Sequence, residues 1–159
     1  MDYDAIRDGL GTAVPFVRHA GITLREVGCG IATAVLADAA EYRNHVGTLH
    51  AGALYTLGET ASGAAIAGAI APILGEVRPL ATAARIEYLR SARGEIIATA
   101  TISEASSLQA QVAAKGRVAV LVHVSLRDAK GTDVARLEVD WTVLGRPRRE
   151  GASRTDDKG

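Results

Sequence analysis

The stretch that decides the fold is residues 44–71, NHVGTLHAGALYTLGETASGAAIAGAIA. It opens on Asn44, His45, Gly47-Thr48 and His50, then turns almost wholly to Ala, Gly, Leu and Ile around one acid, Glu59. Pro72 follows, so the spacing predicts a helix over about 50–71. A helix this apolar has to be surrounded. Glycine inside a helix costs about 1 kcal/mol against alanine, so several glycines mark the close approach of a sheet, a second helix or a ligand. The lone acid either forms a structural ion pair, with Arg85 or Arg90 lying opposite, or does chemistry.

The segments on either side supply the surround. Residues 22–27 and 30–37 suit two strands across a Gly28-Cys29-Gly30 turn. Residues 4–20 carry a short helical pattern (Ile6, Leu10) broken by Gly11 and Pro15, which predicts one or two helical turns. Residues 73–81, with Gly75 and Pro79, read as a connection, and a strand follows at 84–90 before the turn SARG. The second half alternates with period two: Ile96, Ala98, Ala100 and Ile102; then Val118, Val120, Val122, Val124 and Leu126; then Ala135, Leu137, Val139, Trp141 and Val143. That pattern marks antiparallel strands with one buried face. DAKG at 128–131 reads as a hairpin turn, and 104–116 as a short helix ending at Gly116. The expected architecture is α+β: a curved antiparallel sheet of five to six strands wrapped round one long central helix. A single domain spans 1–147, and the charged tail 148–159 has no apolar periodicity and reads as disordered.

Composition narrows the partners. The chain has 159 residues, 48% hydrophobic, and 18 basic side chains balance 18 acidic ones. No strong field points toward nucleic acid or an anionic membrane, and 4% aromatic residues leave few stacking platforms for bases. The uncharged run that includes 60–74 contains Pro72 and falls short of the ~20 apolar residues of a membrane span. Cys29 is alone and reads as a small core residue; with no signal-peptide pattern at the start, the expected compartment is the cytoplasm.

Spacing then suggests a mechanism. Gly52 and Glu59 are seven residues apart, which returns to nearly the same helix face about 10 Å along the axis. Gly52 falls in the first turn, where unpaired N–H groups and the helix dipole can hold a carbonyl oxygen gaining negative charge. Reacting atoms must approach within about 3–3.5 Å, so an acid on the same helix cannot reach that carbonyl. If both act on one bond, the acid comes from a second copy. Burial without a partner also raises a carboxyl pKa, which suits a general base.

Asn44, the run Gly47-Thr48-Leu49-His50-Ala51-Gly52 and Glu59 resemble the hotdog-fold acyl-CoA thioesterases of the phenylacetic-acid-pathway type. They are especially similar to a related DUF4442-like branch, and the likeness extends over about 15–145. The resemblance implies a hotdog fold whose sheets pair into a homodimer, with dimers of dimers common. It implies that Ala51 or Gly52 offers the N–H that polarises the thioester carbonyl and that Asn44 orients the thioester or the water. Glu59 of the second subunit would be base or nucleophile, and His50 would hold the loop-to-helix turn or touch the thioester end. Thr48 and Thr82 would stand near the substrate. Arg90 and Arg117 near strand ends would meet coenzyme A phosphates, unless they are an ordinary solvated rim. Coenzyme A enters as part of the substrate, and no other cofactor is implied. The usual His-Gly-Gly is His50-Ala51-Gly52 here, and the acid is Glu where relatives more often carry Asp.

The remaining signals are bland. His45, His50 and Glu59 are spaced wrongly for three metal ligands on one helical face. His123 points away from the Val118–Leu126 face, His19 reads as surface, and Trp141 as core. No Gly-X-Ser-X-Gly elbow or Cys–His pair occurs. Two rival readings are a hotdog protein that binds an acyl ligand without hydrolysing it, and an enoyl-CoA hydratase, whose Asn-Pro loop is missing.

Overall fold

The computed structural model of the chain describes residues 1–145. The expectations for 146–159, the tail included, lie outside the described residues. In chain order the elements are α1 (Tyr3–Ala13), α2 (Pro15–His19), β1 (Ile22–Gly28), β2 (Ile31–Leu36), α3 (Ala51–Ala69), β3 (Val77–Tyr88), β4 (Ile96–Thr101), α4 (Leu108–Lys115), β5 (Arg117–Asp128) and β6 (Asp133–Gly145). The six strands form one antiparallel sheet in the order β1-β2-β4-β5-β6-β3. Helix α3 lies across its inner face, and this is the expected hotdog arrangement.

The alternating residues fall where period two placed them. Ala98, Ala100, Val122, Val124, Leu126, Leu137, Val139 and Val143 are buried against α3, with Leu57, Ala61, Ala65 and Ile66 from the helix. Three glycines of α3 stand at close approaches. A Cβ on Gly58 would sit 2.6 Å from Leu137, one on Gly63 would sit 3.3 Å from the Trp141 ring, and one on Gly68 would fall on the carbonyl oxygen of Gly28. The glycines let the sheet come close, as the sequence suggested. No helix of the described residues is long and apolar enough to cross a membrane.

Three expectations need correction. Helix α1 runs unbroken through Gly11, capped by Asp2, whose carboxylate accepts the Ala5 N–H at 3.0 Å; Pro15 then starts α2 in the first helical position. Cys29 is exposed in the β1–β2 turn, where its neighbours Gly28 and Gly30, and not Cys29, make the close contacts with α3 and Ala105. Strand β3 begins at Val77, inside the segment read as a connection. It is an edge strand, and there Pro79 takes no N–H from the ladder. Beyond these corrections, the turn SARG carries the chain from edge strand β3 across to β4 in the middle of the sheet.

Candidate active site at the start of the long helix

The loop before α3 is held by Asn44. Its Oδ1 accepts the N–H groups of Val46 and Thr48, each at 3.1 Å, and its Nδ2 donates to the Thr48 hydroxyl at 2.8 Å. Gly47 supplies the positive φ of 74° that the loop needs. With both acceptor sites used, the Asn44 amide keeps one N–H for any other partner. Thr48 is buried, and its hydroxyl receives that Asn44 bond. The loop is stitched to 91–95 as well, by Leu49 N–H to the Ala92 carbonyl at 2.9 Å and by Arg93 to the Gly47 carbonyl at 3.0 Å.

His50 is the N-cap of α3. Its Nδ1 accepts the Gly52 N–H at 2.9 Å, which places the proton of a neutral ring on Nε2. The bond narrows the choice between the two backbone donors. Gly52 has given its N–H to His50, whereas the Ala51 N–H has no acceptor among the described residues. Tyr88, at the end of β3, donates its hydroxyl to the Ala51 carbonyl at 3.1 Å and so ties the edge strand to the helix start. Sequence reasoning passed over Tyr88, although four tyrosines in 159 residues make one at this spot a signal.

Along α3, exposed Gly52 and Tyr55 and half-buried Thr56, Glu59 and Gly63 form the open stripe. Glu59 is half-buried, and its carboxylate makes no hydrogen bond or ion pair among the described residues. Arg85 pairs with Glu87 at 2.7 Å instead, so the ion-pair reading is not met within one protomer. Burial pushes the Glu59 carboxyl above the usual carboxylate range. Position 59 is eight residues beyond Ala51, about 12 Å along the axis, so the two cannot meet on one reacting bond within a protomer.

The other candidates divide. Asn44, Thr48, Ala51 and Arg90 line one groove of about 480 Å³ with Leu54 and Tyr88. Thr82 sits at a bulge in β3 and donates to the Asp140 carbonyl at 3.1 Å. Arg117 pairs with Leu144 while Tyr88 pairs with Ala135, nine residues away on β6 (144 − 135). At about 3.3 Å per residue that is roughly 30 Å, so Arg117 and Arg90 cannot hold one phosphate within a protomer. His123 lies on the outer sheet face, 3.5 Å from the Glu138 carboxylate. Among the described residues no group of three or more His, Cys, Asp and Glu is placed to hold a metal ion.

Comparison with known proteins follows the same lines. The family described as "Domain of unknown function (DUF4442)" matches residues 4–143. Among curated proteins none matches. A Pseudomonas aeruginosa protein of unknown function, described as a probable thioesterase, superposes with a TM-score of 0.77 at 21% identity over 92% of this chain and 97% of its own. A thioesterase of Haemophilus influenzae gives 0.73 at 16% identity over 94% and 95%. A hypothetical thioesterase of Streptococcus pneumoniae, crystallised with coenzyme A, gives 0.62 at 17% over 79% and 87%.

Proposed function

The chain belongs to the DUF4442 family, and we propose that it hydrolyses acyl-CoA-type thioesters at a site shared by two subunits. The observation that carries this reading is Glu59: a carboxylate without a partner among the described residues, half-buried on the open stripe of an otherwise apolar helix. An acid kept there at a cost in desolvation calls for a use, and a raised pKa suits proton transfer.

The thioester carbonyl oxygen rests at the Ala51 N–H, with the helix dipole behind it. Glu59 of the second subunit takes a proton from water as the water oxygen bonds to the carbonyl carbon. The oxyanion collapses, the C–S bond breaks, and the leaving thiolate takes the proton that Glu59 holds, which restores the carboxylate. Asn44 and His50 fix the loop and helix start on which the carbonyl donor stands. Arg90 at the rim of the groove meets a phosphate of the coenzyme A moiety, the group that the Streptococcus pneumoniae relative holds. No further cofactor enters, and the cytoplasm suits a chain whose one cysteine is exposed.

The bare edge of the sheet supports the pairing. β3 has twelve residues, most of them exposed, with Leu80, Tyr88 and the following Leu89 each more than 40% exposed. A long uncovered edge is a template for another strand, and a second copy of β3 extends the sheet across a two-fold axis. That places the second copy's α3 against the first one's open stripe. A second reading, acyl binding without turnover, is favoured by one observation: His50 already occupies the Gly52 N–H. Thiol release over short, aromatic and long acyl-CoAs separates the two.

The shared site has a direct test. Proline is well placed at the first position of a helix, and His50 already holds the extended conformation (ψ 141°) that a following proline requires. Ala51→Pro therefore removes the donor and spares the helix. Glu59→Gln removes the base. Each variant alone is expected to be inactive, and an equal mixture recovers about a quarter of wild-type turnover, since half the dimers are mixed and each has one intact site. No recovery on mixing, with both variants folded and exchanging subunits, would place base and donor in one chain.

A further inference from the structure

Helix α3 carries its acid on a body with little to grip. Most of its 19 residues are Ala or Gly, so side-chain interlock says little about how far the helix is rotated about its axis. Tyr88 and Gln109 hold its two ends, through the Ala51 and Ala69 carbonyls, and one polar connection holds the middle, where Glu59 stands. The chain's single tryptophan, Trp141 of β6, donates Nε1–H to the Ser62 hydroxyl at 3.1 Å, and that hydroxyl donates to the backbone carbonyl of Glu59 at 2.7 Å. Ser62 is 0% exposed and Trp141 9%. An indole N–H can only donate and a buried one needs an acceptor, whereas a serine hydroxyl accepts and donates together. The chain of bonds is thus complete in one direction: indole to hydroxyl to the peptide of the acid itself. Gly63 completes the fit, since its missing side chain lets the indole edge lie against the helix one turn beyond Glu59, on the same face.

We infer that Trp141 and Ser62 are positioning residues which fix the Glu59 turn of α3 against β6, so that its carboxylate points along the open stripe toward the partner subunit. The inference rests on the reading of Glu59 as the group that activates water. It goes further in naming what aims that group. β6 is also the strand that pairs with edge strand β3, so the same tryptophan refers the acid to the edge where the second copy docks. An acid misdirected by a small helix rotation still binds substrate but delivers water poorly, and an ångström of misplacement can cost about 10²-fold.

The test uses the full chain and the best acyl-CoA of the panel. Ser62→Ala removes the link, and Trp141→Phe removes the indole donor but leaves the Ser62–Glu59 bond. Both are expected to lower kcat by about tenfold or more with KM within about twofold, a loss confined to the chemical step. Ser62→Thr, which keeps a hydroxyl, is expected to recover most of kcat. In a Glu59→Gln background the Ser62→Ala change is expected to cost less than about twofold in residual turnover, because residues acting as one unit are not additive. A rise in KM at constant kcat, or the same fold-loss in the Glu59→Gln background, overturns the inference. So does failure of both Ser62→Ala and Trp141→Phe to fold, which would make the pair a core contact alone. Full turnover by Glu59→Gln itself would instead overturn the reading of Glu59, a distinct result.

Discussion

The two flanks of α3 are built to opposite rules. On the β1 flank, Gly68 lies so close that any side chain would strike the Gly28 carbonyl, and Leu54, Leu57, Ala61, Ala64 and Ala65 on the same helix face are buried. On the β3 flank, Gly52, Thr56 and Glu59 keep contact with solvent, the acid has no partner among the described residues, and the neighbouring edge strand is exposed along most of its length. The first flank follows the rule for a stable core: dense packing, few polar groups. The second carries features that cost stability in a lone protomer, and they make sense as surfaces that a second chain and a ligand complete. Marginal stability makes such costs matter, since a domain has only about 5–15 kcal/mol in hand.

The sharpest way to break the comparison is to neutralise the open flank. Glu59→Gln keeps shape and loses charge, and kcat is expected to fall about 10²–10⁴-fold, the range general-base groups supply. Thiol release measures it. Turnover at the wild-type rate would move the chemistry elsewhere and leave the open flank unexplained. Ala51→Pro follows, with an expected loss of about 10²–10³-fold in kcat, as for other single oxyanion donors, and no loss of helix by circular dichroism. If Ala51→Pro keeps full activity, the carbonyl is polarised by another group, and the Nε2–H of His50 is the next to remove.

The closed flank was far more legible in the sequence than the open one. Dense packing leaves a periodic trace: Leu137, Val139, Trp141 and Val143 alternate because β6 is buried on one side, and α3 announces itself by its glycines and by Pro72. Strand β3 leaves no such trace. Exposed on both faces and rich in alanine, with Pro79 inside it, it has neither alternation nor strong strand propensity, so five to seven of its residues read as a connection. Strand neighbours across the SARG turn are a matter of topology that local pattern does not encode. At the site, Glu59 and the Gly47–Gly52 run stood out by composition and spacing. That His50 holds the loop-to-helix turn came from the resemblance and not from propensity, since serine, threonine, aspartate and asparagine are the residues expected there. The Tyr88 bond to Ala51 joins residues 37 apart in sequence, and no spacing rule reaches that far.

A mutation on the closed flank sharpens the contrast from the other side. Gly68→Ala gains helix propensity but drives a methyl onto a backbone oxygen that cannot turn away. Overpacking of this kind costs about 1–3 kcal/mol, so the melting temperature is expected to drop by several degrees in calorimetry. Turnover per folded molecule is expected to hold, because the change lies on the side away from Glu59. A large loss of kcat in a fully folded Gly68→Ala would show that the two flanks are coupled through the helix.

The smallest effect expected is the most specific, and it concerns stability rather than rate. Burial raises the Glu59 carboxyl above its ordinary value, so the folded chain binds that proton more tightly than the unfolded one. The stability this contributes is fully present below the ordinary carboxylate range and is lost as pH rises through the raised value. At neutral pH wild type therefore carries the cost of a charged, partly desolvated acid, which Glu59→Gln does not. The variant is expected to melt higher than wild type near neutral pH, and the gap is expected to close as pH falls below the ordinary carboxylate range. Paired thermal melts across that window decide it. A variant less stable than wild type at neutral pH would mean that the carboxylate has found a cation in the assembled protein, which would turn the open flank into a second structural one.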